Sequence, residues 1–171
     1  MEQTYTEFLR SKIQSTDRVG FDVRPDELHP DNFPHQNTTI KWAISMGRAL
    51  IAASFGLGKT RIQSEIARII HQRTRKKFLL ICPLGVKYQF VNEDGPVLGM
   101  KWQYVTCDDD IRFFSKEGET PYLITNYERV RDGNIIPALH DFGGVSLDEG
   151  SVIHSFGSKT TQEFKRLLKS I

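Results

Sequence analysis

The sequence predicts an α/β fold in which helices cover a mainly parallel sheet, and three observations point there. Apolar runs at 49–53, 78–82 and 121–125 alternate with stretches of helical periodicity, the pattern of strands buried on both faces. A glycine-punctuated loop, Ala53-Ser54-Phe55-Gly56-Leu57-Gly58-Lys59-Thr60, joins the first run to a helical stretch. A later strand pattern, Gly144-Val145-Ser146-Leu147, ends in the acid pair Asp148-Glu149. The 171 residues suit one such domain and are enough to bury a core.

Composition narrows the class without deciding the function. The hydrophobic fraction of 39% and aromatic fraction of 11% are those of a soluble globular protein, and no apolar run is long enough to span a bilayer. Met1-Glu2-Gln3-Thr4-Tyr5-Thr6-Glu7 lacks the pattern of a signal peptide, so a cytoplasmic location without membrane attachment is expected. With 23 basic and 21 acidic residues the net charge is +2, so any argument for nucleic acid must come from local clusters. Cys82 and Cys107 are far apart and lack a histidine at metal-ligand spacing, which fits a reducing compartment better than a disulfide or zinc framework.

Taken in order, residues 1–27 read as an accessory lead-in and 28–171 as the main domain. Phe8, Leu9 and Ile13 follow a helical pattern, and Phe21-Asp22-Val23 suits a short strand. Pro25, Pro30 and Pro34 punctuate an extended approach to a helix carrying Lys41-Trp42-Ala43-Ile44. Ala49-Leu50-Ile51-Ala52-Ala53 is expected to be a short buried strand, and Ile62, Ile66, Ile69 and Ile70 share one face of the helix after the loop. Arg73-Thr74-Arg75-Lys76-Lys77 reads as a solvated basic connection into the strand at 78–82.

Further on, Lys101 to Thr106 alternates like a strand. Asp108-Asp109-Asp110 then opens a helix through Ile111, Phe113 and Phe114. Three neighbouring acids invite a metal reading, but capping and the helix dipole explain them sufficiently. The strand at 121–125 leads into Asn126-Tyr127-Glu128-Arg129-Val130, and Ile135 to Leu139 reads as a short apolar helix. A final amphipathic helix starts at Ser158, with Phe164, Leu167 and Leu168 inward.

The loop has the chemistry of a phosphate cradle. Gly56, Leu57 and Gly58 can turn backbone N–H groups toward a polyphosphate, because the glycines put no Cβ in the way, and the helix start adds partial positive charge. Lys59 would reach the β- and γ-phosphates of ATP, and Thr60 would ligate Mg²⁺. At the far strand end, Asp148 suits the Mg²⁺ shell and Glu149 suits polarising an attacking water. Upstream, the Gln36 amide offers donors and an acceptor that match an adenine edge, with Asn32 or His35 assisting. The plainer reading of Gln36 is a polar helix start above a buried Trp42.

These residues together resemble the first RecA-like lobe of superfamily-two helicases, DEAD/DEAH-box in the broad sense. Ala53 with the tail Gly-Leu-Gly-Lys-Thr is similar to the phosphate loop of the Swi/Snf-like branch and its phage relatives. Phe33-Pro34-His35-Gln36 resembles the adenine-reading Q motif, Pro83 to Phe90 resembles motif Ia, and Thr125-Asn126-Tyr127-Glu128 resembles motif Ib. The resemblance implies nucleic-acid contacts at Lys87, Thr125 and Asn126, with DNA favoured over RNA. His154 stands where that branch carries a lysine after its acid box, which puts that lysine's contact in doubt.

The resemblance runs over 28–169 and lacks the family's motif III strand, so a RecA-like P-loop three-layer domain with an incomplete sheet is expected. The second lobe and its arginine fingers lie outside this sequence. The implied function is the ATP-binding lobe of a helicase or translocase, needing a second lobe or partner chain for efficient hydrolysis or unwinding. The alternative is a non-catalytic helicase-like module that binds a partner protein or nucleoprotein complex.

Overall fold

The computed structural model describes residues 17–116 and 120–149; the helices expected near 8–13 and from Ser158, together with His154, lie outside them. Two helices, α1 (Pro34–Met46) and α2 (Lys59–Thr74), flank the glycine loop. The strands are β1 (Lys77–Cys82), β2 (Trp102–Tyr104), β3 (Tyr122–Asn126) and β4 (Phe142–Leu147). Helix α3 (Asp108–Lys116) joins β2 to β3, and α4 (Tyr127–Arg131) leaves the end of β3. Among the described residues the sheet runs β2-β3-β1-β4 with every pairing parallel.

Parallel strands need crossover connections, which put cover on both faces of a sheet. That burial follows the strand alternation. Phe78, Leu80 and Cys82 face one core with Phe90, Trp102 and Ile124, while Leu79 and Ile81 face another with Val105, Ile111 and Leu123. Burial pushes the Cys82 thiol up to about 12, as befits a small core residue. A third cluster, Val23, Ile40, Ile44, Ile62 and Ile69, fastens α1 and the lead-in to α2.

Two expected strands do not form. Residues 49–53 make no ladder, Leu50 is 78% exposed, and only Ile51 packs on the third cluster. A strand exists through its paired backbone groups, and among the described residues none pairs with this run. Residues 21–23 instead lie against the end of α1, where the N–H of Phe21 donates to the Ile44 carbonyl at 3.3 Å. Gly20 makes that approach possible, since a Cβ there would sit 1.7 Å from the Ile44 oxygen.

The basic connection is solvated from Arg73 to Lys76, yet several of its charges have partners. Arg73 pairs with Glu27 at 2.7 Å and lies over the Phe21 ring, and Lys77 Nζ donates to the carbonyls of Phe114 and Thr120 at 2.8 and 3.0 Å. The three acids that open α3 have separate partners. Asp108 meets His140 at 2.7 Å, Asp109 meets Arg112 at 2.9 Å, and Asp110 accepts from the backbone and hydroxyl of Thr106.

Candidate nucleotide site

The loop between 53 and 60 is shaped by its glycines. Gly56 has φ +80° and Gly58 φ +71°, the left-handed region that side chains disfavour. No protein atom lies within 4 Å of the place a Cβ on Gly56 would take, so that residue faces open space. Helix α2 begins at once, its first bond running from the Ile62 N–H to the Gly58 carbonyl at 3.0 Å. Lys59 folds back into the loop, donating to the Ala53 carbonyl at 3.1 Å with its ammonium 4.9 Å over the Phe55 ring. Thr60 is half-buried at the second helical position, and Leu57 lines the outer side of the loop.

Gln36 supports this loop from behind. It is buried at the start of α1, where its Oε1 accepts from the Phe33 N–H at 2.9 Å and its Nε2 reaches the Leu57 carbonyl at 3.5 Å. His35 Nε2 lies 3.3 Å from the same carbonyl. Trp42 is 44% exposed, so it is not the buried tryptophan of the plainer sequence reading. It lines an open cleft of about 530 Å³ with His35, Thr39, Leu50, Ala53 and Leu57, within the range of small-ligand sites.

The acid pair closes the other side. Asp148 follows β4 and is buried; its N–H donates to the Ile81 carbonyl at 2.9 Å, and its carbonyl accepts from the Tyr127 hydroxyl. Burial raises its carboxyl above the ordinary range, opposed by a hydrogen bond from Gln63; the Glu149 charge adds to the rise, and the Lys59 charge opposes it more weakly. Loop lysine and buried acid are therefore electrostatic neighbours. Glu149 is exposed and has a left-handed φ of +50°, which turns the chain sharply after the strand.

This donor set fits a divalent cation with a polyphosphate. Asp148 supplies a buried carboxyl and Thr60 a hydroxyl at the start of α2, both oxygen donors of the kind Mg²⁺ takes.

Two further groups of residues belong to the site's frame. Gln63, which no sequence pattern marked, donates to Asp148 Oδ1 at 2.9 Å. Asn32, expected near the base, instead accepts from Arg61 at 3.0 Å and donates to Glu65 at 3.3 Å. Glu65 is fully buried, which would raise its carboxyl; hydrogen bonds from Arg68 and the His29 N–H overcome this and hold it below the ordinary range. The network ties the lead-in to α2.

At the carboxyl ends of β1, β2 and β3 lies the face expected to meet nucleic acid. Lys87 Nζ sits 4.1 Å over the Tyr104 ring, and the Tyr104 hydroxyl donates to Asn126 Oδ1 at 3.2 Å. Asn126 in turn donates to Glu128 at 2.6 Å. Thr125 is fully buried and its hydroxyl donates inward to the Val105 carbonyl at 2.9 Å, so it packs the sheet. Tyr104, which no motif singled out, joins Lys87 to Asn126.

No protein-family profile matches this chain, and no curated protein matches it. Among solved structures it is similar to the crystal structure of the UvsW helicase from bacteriophage T4, with a TM-score of 0.62 and 16% sequence identity. The fold is RecA-like, an α/β arrangement with a parallel sheet. The match covers 99% of this chain and 58% of that one, so the chain spans little more than half the length of the helicase it resembles. At this identity the likeness establishes the fold, and function rests on the site. No helix among the described residues is long and apolar enough to cross a membrane.

Proposed function

We propose that this chain is the ATP-binding lobe of a nucleic-acid helicase or translocase of the Swi/Snf-like, phage-type branch, acting with a second lobe or partner chain. What supports the reading is convergence on one helix. Helix α2 carries Lys59 at its start and, one turn later, Gln63 bonded to Asp148 at 2.9 Å, which gathers loop and acid pair at one end of the sheet. In this reading Gly56, Leu57, Gly58 and Lys59 hold the phosphates, Gln36 braces the loop beside the base, and Thr60 and Asp148 hold Mg²⁺. The cation would neutralise charge on the phosphates, and Glu149 would orient the attacking water and accept its proton.

Lys87 and Asn126 form the nucleic-acid face, DNA being favoured, with Thr125 behind them as packing. Transfer of a phosphoryl group also needs cations on the opposite side of the site, which a second lobe would bring. Turnover by this lobe alone is expected to be very slow.

Fluorescent ATP titrated in millimolar Mg²⁺ tests the reading. Lys59→Ala should weaken binding about 30-fold, the loss of one charge-assisted contact worth about 2 kcal/mol. Equal binding by both proteins would remove the phosphate-loop assignment. Binding without DNA-stimulated hydrolysis, even with the second lobe supplied, would favour the non-catalytic partner-binding alternative.

A further inference from the structure

Asp148 does not stand alone at the end of β4. Gln63, on the second turn of α2, donates from Nε2 to Asp148 Oδ1 at 2.9 Å, and its Oε1 accepts from the Ser146 hydroxyl at 3.2 Å. Ser146 and Asp148 are two residues apart, so both side chains project to the face of β4 on which α2 lies. Gln63 spans them. Its amide supplies the donor to one partner and the acceptor to the other. A glutamate would offer two acceptors and a second negative charge to Asp148, and an apolar residue of the same length would offer neither bond.

We propose that Gln63 is a positioning residue for the divalent cation, fixing the Asp148 carboxylate through a bridge anchored on Ser146. The inference rests on the nucleotide reading above and adds a residue to it. A neutral amide does not itself replace the carboxylate as a cation ligand. Its effect runs through Asp148 Oδ1, whose rotation it restrains before the cation arrives, as partners of metal-binding side chains do elsewhere. Gln63 therefore links the helix that begins at the phosphate loop to the strand that ends at the acid.

The test separates cation binding from nucleotide binding. The dissociation constant of fluorescent ATP is measured in EDTA and in saturating Mg²⁺, and the ratio of the two reports the cation's contribution. Gln63→Met, similar in length and lacking both bonds, should lower this ratio about 10-fold while leaving the EDTA value unchanged. Ser146→Ala, which removes only the anchor, should lower it about 3-fold. A purely structural glutamine would alter thermal stability or both constants together.

A wild-type ratio retained by Gln63→Met overturns the proposal. If that variant does not fold, an unchanged ratio in Ser146→Ala does the same. Tight wild-type binding with no dependence on Mg²⁺ also overturns it and leaves the phosphate loop standing. Failure of wild-type protein to bind in either buffer would instead remove the nucleotide reading itself.

Discussion

Residues 49–53 and 78–82 are both short apolar runs, and the chain treats them oppositely. Phe78 to Cys82 are buried, with β3 on one side and β4 on the other. Ala49 to Ala53 join no ladder among the described residues, and Leu50 is left 78% exposed beside the phosphate loop. Apolar composition therefore does not make a strand; hydrogen-bonded neighbours do. The two halves of the candidate site inherit the difference. The acid half is fixed by the sheet, whereas the loop half leans on Gln36, His35 and the start of α2.

Paired substitutions break the comparison most directly. Leu80→Ala should destabilise by about 3 kcal/mol, because a fully buried side chain leaves a cavity flanked by paired strands. Leu50→Ala should change stability by less than about 0.5 kcal/mol. Chemical denaturation measures both, and comparable losses would mean that 49–53 is buried after all.

Glycine substitutions sharpen the contrast within the loop. Gly58→Ala should cost about 2 kcal/mol, since φ is +71° and a Cβ would lie 2.3 Å from Gln36 Nε2. Gly133→Ala, with φ +77° and nothing within 4 Å, should cost only about 1 kcal/mol. Equal losses would mean that Gln36 swings aside freely and does not brace the loop.

A further effect has the opposite sign. Asp148→Asn should raise Tm by about 3 °C near neutral pH, roughly 1 kcal/mol, by removing a buried charge. The folded-state pKa of Asp148 is raised, so the native state holds its proton more tightly than the unfolded chain does. The cost of ionising it is absent at low pH, grows as pH rises through the window from the ordinary value of 3.8 to the raised one, and is constant above. The advantage of Asp148→Asn should fade as pH is lowered through that window. A difference that persisted into acid would mean that the carboxylate is not penalised by burial.

Much of the frame was legible in the residues. The runs at 78–82 and 121–125, the helix after Lys59 and the acid pair after Leu147 sit close to where periodicity and motif placed them. Gln63 and Tyr104 were not legible, nor was the partner of Tyr127, because each matters through a residue distant in sequence: Asp148, Asn126 and the Asp148 carbonyl. The inward turn of the Thr125 hydroxyl was not legible for a related reason. A motif marks a residue's place in the chain, while the direction of its side chain depends on which face of the strand the neighbours cover.

By itself the sequence determined the α/β class, the glycine positions that permit the loop's left-handed turns, and the residue types able to meet phosphate and cation. Those follow from local rules of sterics, periodicity and charge that act within a few residues. Only the tertiary structure decided that residues 49–53 stay out of the sheet, that Gln36 lies behind the loop, and that Gln63 holds Asp148. Strand pairing and the burial of a carboxylate depend on segments far apart in the chain, and no local pattern specifies which of them will meet.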